Sequence, residues 1–411
     1  MKSGDDMKII FGCSNCSQRK FEELERKYDI QTSRAIQKYN LLLNRGFAAN
    51  GARVSVISGL PINRSVTSKK LIREKDDREF NVRYHYITTL NLPGFRQLMI
   101  LFGAFFGVLR QKKERQTFAV FDCLNIACAL GMVLGCKIRG IKTTAIVTDL
   151  PEMEYSNPLL IKINNSLINC TDSFIMLTEQ MNERVNKKNR PYIVLEGHVD
   201  SEAPVPEDQL KYEEINGKKV ILYAGNIKKI YGIQNLVNGF LQANIENSEL
   251  RIYGNGDFKQ ELETLCECNS GLKYLGVADN AEIVRQEQKA SLLVNPRPTG
   301  PEYTKYSFPS KNMEYMVSGT PLLTTVLPGM PREYCPYVFL LEDESAEGIC
   351  NALKSFFELD LDVRKAKGKS ARDYVINNKS NIVQAKKIID FLTEMSKVND
   401  RSEDKRKNQK N

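Results

Sequence analysis

The chain has 411 residues, room for two domains of ordinary size, and its 42% hydrophobic and 27% charged content is that of a soluble globular protein with two buried cores. The formal net charge of +9 is dispersed rather than gathered in one arm, and no RNA- or DNA-binding signature accompanies it, so nucleic acid is set aside and phosphates or membrane headgroups are favoured as partners. Ten cysteines are scattered with no secretory signal ahead of them, and only two histidines are present, which points to reduced thiols, a cytoplasmic setting and no metal site.

In chain order, the first half predicts strands at Lys8–Cys13, Arg53–Ile57, Arg83–Thr88, Phe118–Phe121, Thr143–Val147, Ser173–Leu177 and Tyr192–Leu195. Cys13-Ser-Asn-Cys16 follows the first of these and reads either as a small-residue βα loop or as a redox dithiol. The longest apolar run is Leu98–Leu109, bounded by Arg96 and Arg110. It is too short to span a bilayer, which takes about 20 residues. Two readings stay open for it. One is a buried helix. The other is a helix dipping into the inner membrane face, with Arg110, Lys112, Lys113 and Arg115 at the headgroups.

An acid- and proline-rich stretch, residues 201–217, reads as a linker between an N-terminal domain (1–200) and a C-terminal one (218–378). The second half predicts strands at Lys219–Ala224, Leu250–Tyr253, Leu272–Leu275, Ser291–Val294, Leu322–Val326 and Val338–Leu341. Helical spacing of Ile382, Ala385, Ile389, Leu392 and Met395 gives a closing helix over 379–398, and the polar residues 399–411 read as a disordered tail. Most strands are continuous apolar runs separated by helical patterns. That alternation predicts an α/β protein with doubly wound parallel sheets, whose ligands sit beyond the carboxyl ends of the strands.

The most telling stretch is Tyr306–Thr325, YSFPSKNMEYMVSGTPLLTT. Phe308-Pro309 closes a loop, and Ser310-Lys311 opens a helix that Gly319 and Pro321 end. The first turn of a helix has unpaired N–H groups and a positive dipole end, so it attracts phosphate, and a serine hydroxyl and a lysine strengthen that pull. Glu314, four residues after Ser310, shares its helix face and can accept from sugar hydroxyls. Such a combination suits a nucleotide sugar.

The same residues resemble family 4 glycosyltransferases, retaining enzymes of the GT-B architecture, in which two doubly wound Rossmann-like domains face a central cleft. The resemblance runs through KVILYAGNIKKIYGIQNLV, ELRIYGNGD, LKYLGVADNAEIV, SLLVNPRP and YSFPSKNMEYMVSGTPLL, strongest over about residues 190–345, with VLEGHVD before the linker. Its flavour is that of bacterial capsule or exopolysaccharide enzymes. The resemblance implies that Glu314 grips the donor ribose and that Ser310 and Lys311 meet the diphosphate. Gly225, Asn226, Ser307, Phe308 and Pro309 belong to the same binding stretches. Tyr306 stands eight residues before Glu314, where the family has a glutamate that orients the transferred sugar. Tyr231 replaces the usual lysine before Gly232, leaving Lys228, Lys229 and Arg297 to neutralise the diphosphate. In the first domain, Asp149 is implied to contact the sugar or orient the acceptor, and the loop Gly12–Ser17 to let acceptor and donor phosphate approach the backbone.

The implied reaction is front-face transfer with retention, from a nucleoside diphosphate sugar to a lipid-linked or glycan acceptor. The leaving diphosphate itself helps to deprotonate the acceptor, with no cofactor and no metal. Asp360-Leu-Asp362 reads as a solvated turn. A nucleotide-sugar epimerase of the same fold, or a scaffold that binds nucleotide without turnover, is the alternative.

Overall fold

The computed structural model describes residues 7–28, 34–203 and 211–408. The chain divides into two compact units, one formed by Met1–His198 with Asn381–Asn411 and the other by Val199–Ser380.

In the first unit the strands are β1 (Met7–Cys13), β2 (Arg53–Ser58), β3 (Leu71–Ile72), β4 (Asp77–Glu79), β5 (Val82–Tyr86), β6 (Thr89–Leu90), β7 (Gln116–Asp122), β8 (Lys142–Val147), β9 (Ser173–Met176) and β10 (Tyr192–Val194). Eight of them form one sheet in the order β10-β9-β8-β7-β1-β2-β5-β4. Every pairing is parallel except that of β4 with β5. All seven residues of β1 are buried, because helices cover both faces of a central parallel strand. Helices Phe95–Arg110 and Ile126–Arg139 pack on this unit. Gly131 and Gly135 let them touch closely: a Cβ on Gly131 would stand 2.2 Å from the Leu101 carbonyl oxygen.

The second unit holds β11 (Lys219–Ala224), β12 (Ser248–Tyr253), β13 (Leu272–Tyr274), β14 (Leu292–Asn295), β15 (Leu322–Thr324) and β16 (Phe339–Leu340). Their order is β13-β12-β11-β14-β15-β16, all parallel. This is the doubly wound dinucleotide-fold order, in which the strand sequence reverses between the first and fourth strands and leaves a crevice at their carboxyl ends. Here that crevice lies between β11 and β14.

Each strand read from the sequence is present, with ends shifted by no more than two residues. Three short strands were not foreseen: β3, β4 and β6. They lie in a charged stretch with little apolar periodicity, and the β4–β5 hairpin turns on Phe80 and Asn81 at positive φ (47° and 62°).

The domain boundaries move. Residues 204–210 of the expected linker lie outside the described residues, but 211–217 is not a tether. Tyr212–Asn216 is a helix docked on the second unit, where Glu213 pairs with Arg364 at 2.9 Å and Glu214 with Lys365 at 2.7 Å. The acids that looked like linker polarity are ion-pair partners. The last helix, Asn381–Asn408, belongs to the first unit, its Asn381 amide donating to the Leu42 carbonyl at 2.9 Å. It runs on through residues expected to be a disordered tail, since extending an existing helix is far easier than starting one. Residues 409–411 lie outside the described residues.

Candidate functional site: a pocket at the switch point

A pocket of about 230 Å³ opens at the carboxyl ends of β11 and β14, lined by Tyr223, Gly225, Asn226, Tyr231, Asn295, Arg297, Phe308, Pro309, Ser310 and Lys311. One helix amino end lines it, and a second begins just after its lining residue Tyr231. Helix Ser310–Val317 starts after Pro309, and no side chain caps its first turn. Helix Ile233–Ala243 starts after Gly232, again without a side-chain cap. Gly232 has φ +79°, and a Cβ there would stand 2.2 Å from the Pro296 carbonyl oxygen, so this turn requires glycine. Uncapped first turns present N–H groups and a positive dipole end to an anion.

Buried hydrogen bonds hold these parts in place. The Tyr315 hydroxyl donates to the Ala224 carbonyl at 3.0 Å and accepts from the Ala224 N–H at 2.8 Å, fastening helix Ser310–Val317 to the end of β11. Behind it, the Asn295 amide donates to Asn312 at 2.6 Å, and the Asn312 amide donates to the Thr324 hydroxyl at 3.1 Å. Tyr223 donates to the Asn226 carbonyl at 2.8 Å and shapes the loop. The guanidinium of Arg297 sits 4.5 Å from the centre of the Tyr231 ring, an arrangement that aims the cation while leaving its N–H groups free to bond an oxyanion. The Lys311 ammonium is 2.8 Å from Glu314. Burial works against its charge, but the Glu314 carboxylate outweighs that and raises the pKa, so Lys311 is a firm cation at neutral pH.

Of the residues singled out from the sequence, Gly225, Asn226, Arg297, Phe308, Pro309, Ser310 and Lys311 come together in this pocket. Tyr223 lines it too and was not foreseen; Asn295, which ends β14 one residue past the expected strand, heads the loop Asn295–Pro309 that the strand-end rule picks out. Glu314 is half-buried one turn along, in reach of Lys311 but outside the lining. Tyr306 ends the short 3₁₀ helix Glu302–Tyr306, also outside the lining. Ser307 has a buried hydroxyl without a hydrogen-bond partner among the described residues. Lys228 is exposed and outside the lining, and Lys229 is drawn off to Glu261 at 2.5 Å. Arg297 and Lys311 are therefore the cations of the pocket lining.

In the first unit, the loop Gly12–Ser17 differs from the expected phosphate approach. The missing Cβ of Gly12 faces the Met132 side chain at 2.8 Å, which gives that glycine a packing reason. The amides of Asn15, Cys16 and Ser17 donate to Ser58, Gln37 and Tyr86, and those of Gln18 and Arg19 to Glu79. These N–H groups are already used by the protein, so the amino end of helix Gln18–Tyr28 is closed to a phosphate.

Asp149 follows β8, with part of its surface exposed. Its charge acts on Asp122, the last residue of β7, a residue with no motif around it in the sequence. Burial pushes Asp122 up to about 6; the Leu124 N–H bond opposes this, and Asp149 and Glu154 add to it. Asp149 is likewise pushed up to about 6 by burial and by Glu154, against a bond from Thr148. Folded Asp122 thus keeps a proton that the unfolded chain releases between about pH 4 and 6, and stability is lost as pH rises through that window. Asp122→Asn is therefore expected to stabilise the first unit by about 1–3 kcal/mol at neutral pH and by little below about pH 4. Denaturant midpoints at the two pH values check this, and a variant no firmer at neutral pH refutes it.

Residues 205–381 match the family profile described as glycosyl transferases group 1. No curated protein matches the chain significantly. Among solved structures, sucrose-phosphate synthase from Thermosynechococcus elongatus aligns over 95% of this chain and 100% of its own, with 14% identity and a TM-score of 0.62. HepE from Anabaena, solved in complex with UDP, aligns over 94% and 100%, at 13% identity and TM-score 0.66. A glycosyltransferase from Rickettsia africae aligns over 96% and 99%, at 13% identity and TM-score 0.65. The family match is confined to residues 205–381, within which the whole second sheet lies, and the chain has the α/β fold of GT-B glycosyltransferases, with two parallel sheets.

Proposed function

We propose that the protein transfers a sugar, with retention of anomeric configuration, from a nucleoside diphosphate sugar to a lipid-linked or glycan acceptor in cell-surface polysaccharide synthesis, working on the cytoplasmic side of the membrane. The observation that carries the reading is the meeting of the uncapped helix amino end at Ser310 with Arg297 and Lys311 in one pocket at the β11–β14 crevice. Dipoles and cations fixed there before reaction favour the charge that grows on a departing diphosphate. That diphosphate then takes the acceptor proton, so no nucleophile from the protein is needed.

In this reading Glu314 holds the ribose, the role its place in the motif implies. Asp149 orients the acceptor. Lys228 and Lys229 stand near the entrance loop and reach the phosphates only if Lys229 leaves Glu261. Tyr306, where the family carries a glutamate, gives the sugar a neutral hydrogen-bonding group instead of a charge.

The test is release of nucleoside diphosphate when pure protein meets a panel of nucleotide sugars and a membrane extract. Turnover is expected with at least one donor and is expected to vanish in Glu314→Ala. Turnover that survives the change removes the donor-site assignment. Epimerised nucleotide sugar formed without acceptor gives the site to an epimerase, and tight nucleotide binding with no turnover of any donor makes it a scaffold.

A further inference from the structure

Helix Phe95–Arg110 divides into two faces. Ile100, Ala104 and Val108 are buried against the first unit. Phe95, Leu98, Phe102 and Phe106 are 57%, 53%, 55% and 49% exposed. Their spacing of three, four and four residues aligns them on one stripe along the helix. Large apolar side chains are normally scattered singly on a protein surface; four in a row are not explained by folding.

The neighbouring helix Ile126–Arg139 widens the stripe. It touches Phe95–Arg110 through Gly131 and Gly135, whose near neighbours are Leu101, Ala104, Phe105 and Val108, so the two helices run in the same direction. Leu134 and Ile138, 47% and 68% exposed, lie within one turn of Gly135 and extend the outer face.

Charge completes the pattern. Neither helix contains an aspartate or glutamate. Cations gather at their carboxyl ends, where Arg110, Lys112, Arg115 and Lys137 are all exposed. Glu114, the acid in that stretch, is taken up by Arg53 at 2.5 Å. An apolar stripe that ends in a cluster of unopposed cations complements a surface with hydrocarbon beneath and negative charge at the rim. Among the described residues no helix is long and apolar enough to cross a membrane, so the fit is to a surface rather than a span.

We propose that the outer face of helices Phe95–Arg110 and Ile126–Arg139 docks on an anionic lipid bilayer. Phe95, Leu98, Phe102 and Phe106 enter the acyl boundary, and the basic cluster rests among the headgroups. The proposal bears on the reading above only through the lipid carrier of the acceptor; the surface is argued from the first unit alone.

The experiment sediments the full chain with vesicles of phosphatidylcholine, with and without phosphatidylglycerol, at low and high salt. Binding is expected to the phosphatidylglycerol vesicles and to weaken with salt. The double change Phe102→Asp, Phe106→Asp is expected to cut it by about tenfold or more, and Arg110→Ala with Lys112→Ala and Arg115→Ala to remove its salt dependence. Both phenylalanines are half exposed, so circular dichroism and the thermal midpoint should stay those of the parent. The chain has no tryptophan. Phe102→Trp therefore offers a second reading, a blue shift of emission on adding vesicles, that does not depend on the double variant folding. No binding at low salt, binding indifferent to phosphatidylglycerol, or binding untouched by the double change overturns the proposal. So does a dimer, seen by light scattering, that the double change dissolves, since the face would then belong to a second copy. Vesicle binding needs no donor and no turnover, so its failure and that of the sugar-transfer reading are separately visible.

Discussion

Lys311→Ala is expected to lower kcat/KM for nucleoside diphosphate release by about 10²–10³-fold, the loss usual when one preorganised oxyanion partner is removed. The lysine lines the pocket in the first turn of an uncapped helix, so its charge adds to N–H groups and a dipole already aimed at the same point. Its present partner is Glu314, at 2.8 Å, and both side chains are about two-fifths exposed (40% and 39%). A pair so open to solvent adds only about 0–1 kcal/mol to folding, so the variant should keep its thermal midpoint while losing turnover. A diphosphate would compete with Glu314 for the ammonium. The two residues should then couple in nucleoside diphosphate affinity: Lys311→Ala combined with Glu314→Ala should weaken binding by less than the sum of the single changes. A Lys311→Ala enzyme within about twofold of the parent in kcat/KM would remove the diphosphate from this pocket.

Gly254→Ala is the second large effect, and it acts on the fold. Gly254 follows β12 with φ +135°, and a Cβ there would stand 1.7 Å from the Gly225 carbonyl oxygen. No rotamer relieves that clash, because both partners are backbone. Gly254 is also held on both sides, its N–H donating to the Gly276 carbonyl at 2.7 Å and its carbonyl accepting from Tyr274 at 2.9 Å. Accommodating a methyl group means pushing the loop at Gly225 away from the pocket or breaking the end of β12. The expected cost exceeds about 4 kcal/mol, in the range of the most damaging single substitutions. The second unit should melt well below the first in a thermal scan, or fail to fold, with nucleotide binding lost in either case. A variant with parental melting and parental nucleotide affinity would show that the glycine turn does not set the pocket.

Local pattern carried the sequence reading a long way. Continuous apolar runs marked strands buried on both faces, and Ser310-Lys311 after Phe308-Pro309 marked a helix start at a pocket, because these signals depend on residues only a few places apart. The same logic failed where a side chain's partner lies far along the chain. Lys229 read as a phosphate cation, and in the fold its ammonium pairs with Glu261, 32 residues on. The loop at Gly12–Ser17 read as an open backbone until Ser58, Gln37 and Tyr86 were seen to take its amides. Glu213 and Glu214 read as linker acids, but Arg364 and Lys365 hold them.

Short-range pattern alone sets the strand and helix periods, the apolar content of Leu98–Leu109 and the helix start at Ser310. Only the tertiary structure decided the strand order that makes a crevice between β11 and β14, and which cations line the pocket there. It alone showed that Phe95, Leu98, Phe102 and Phe106 stay half in water while Ile100, Ala104 and Val108 do not. The reason is physical. Backbone preference is settled among neighbours in the chain, whereas burial and hydrogen-bond partnership are settled by what the folded chain brings alongside.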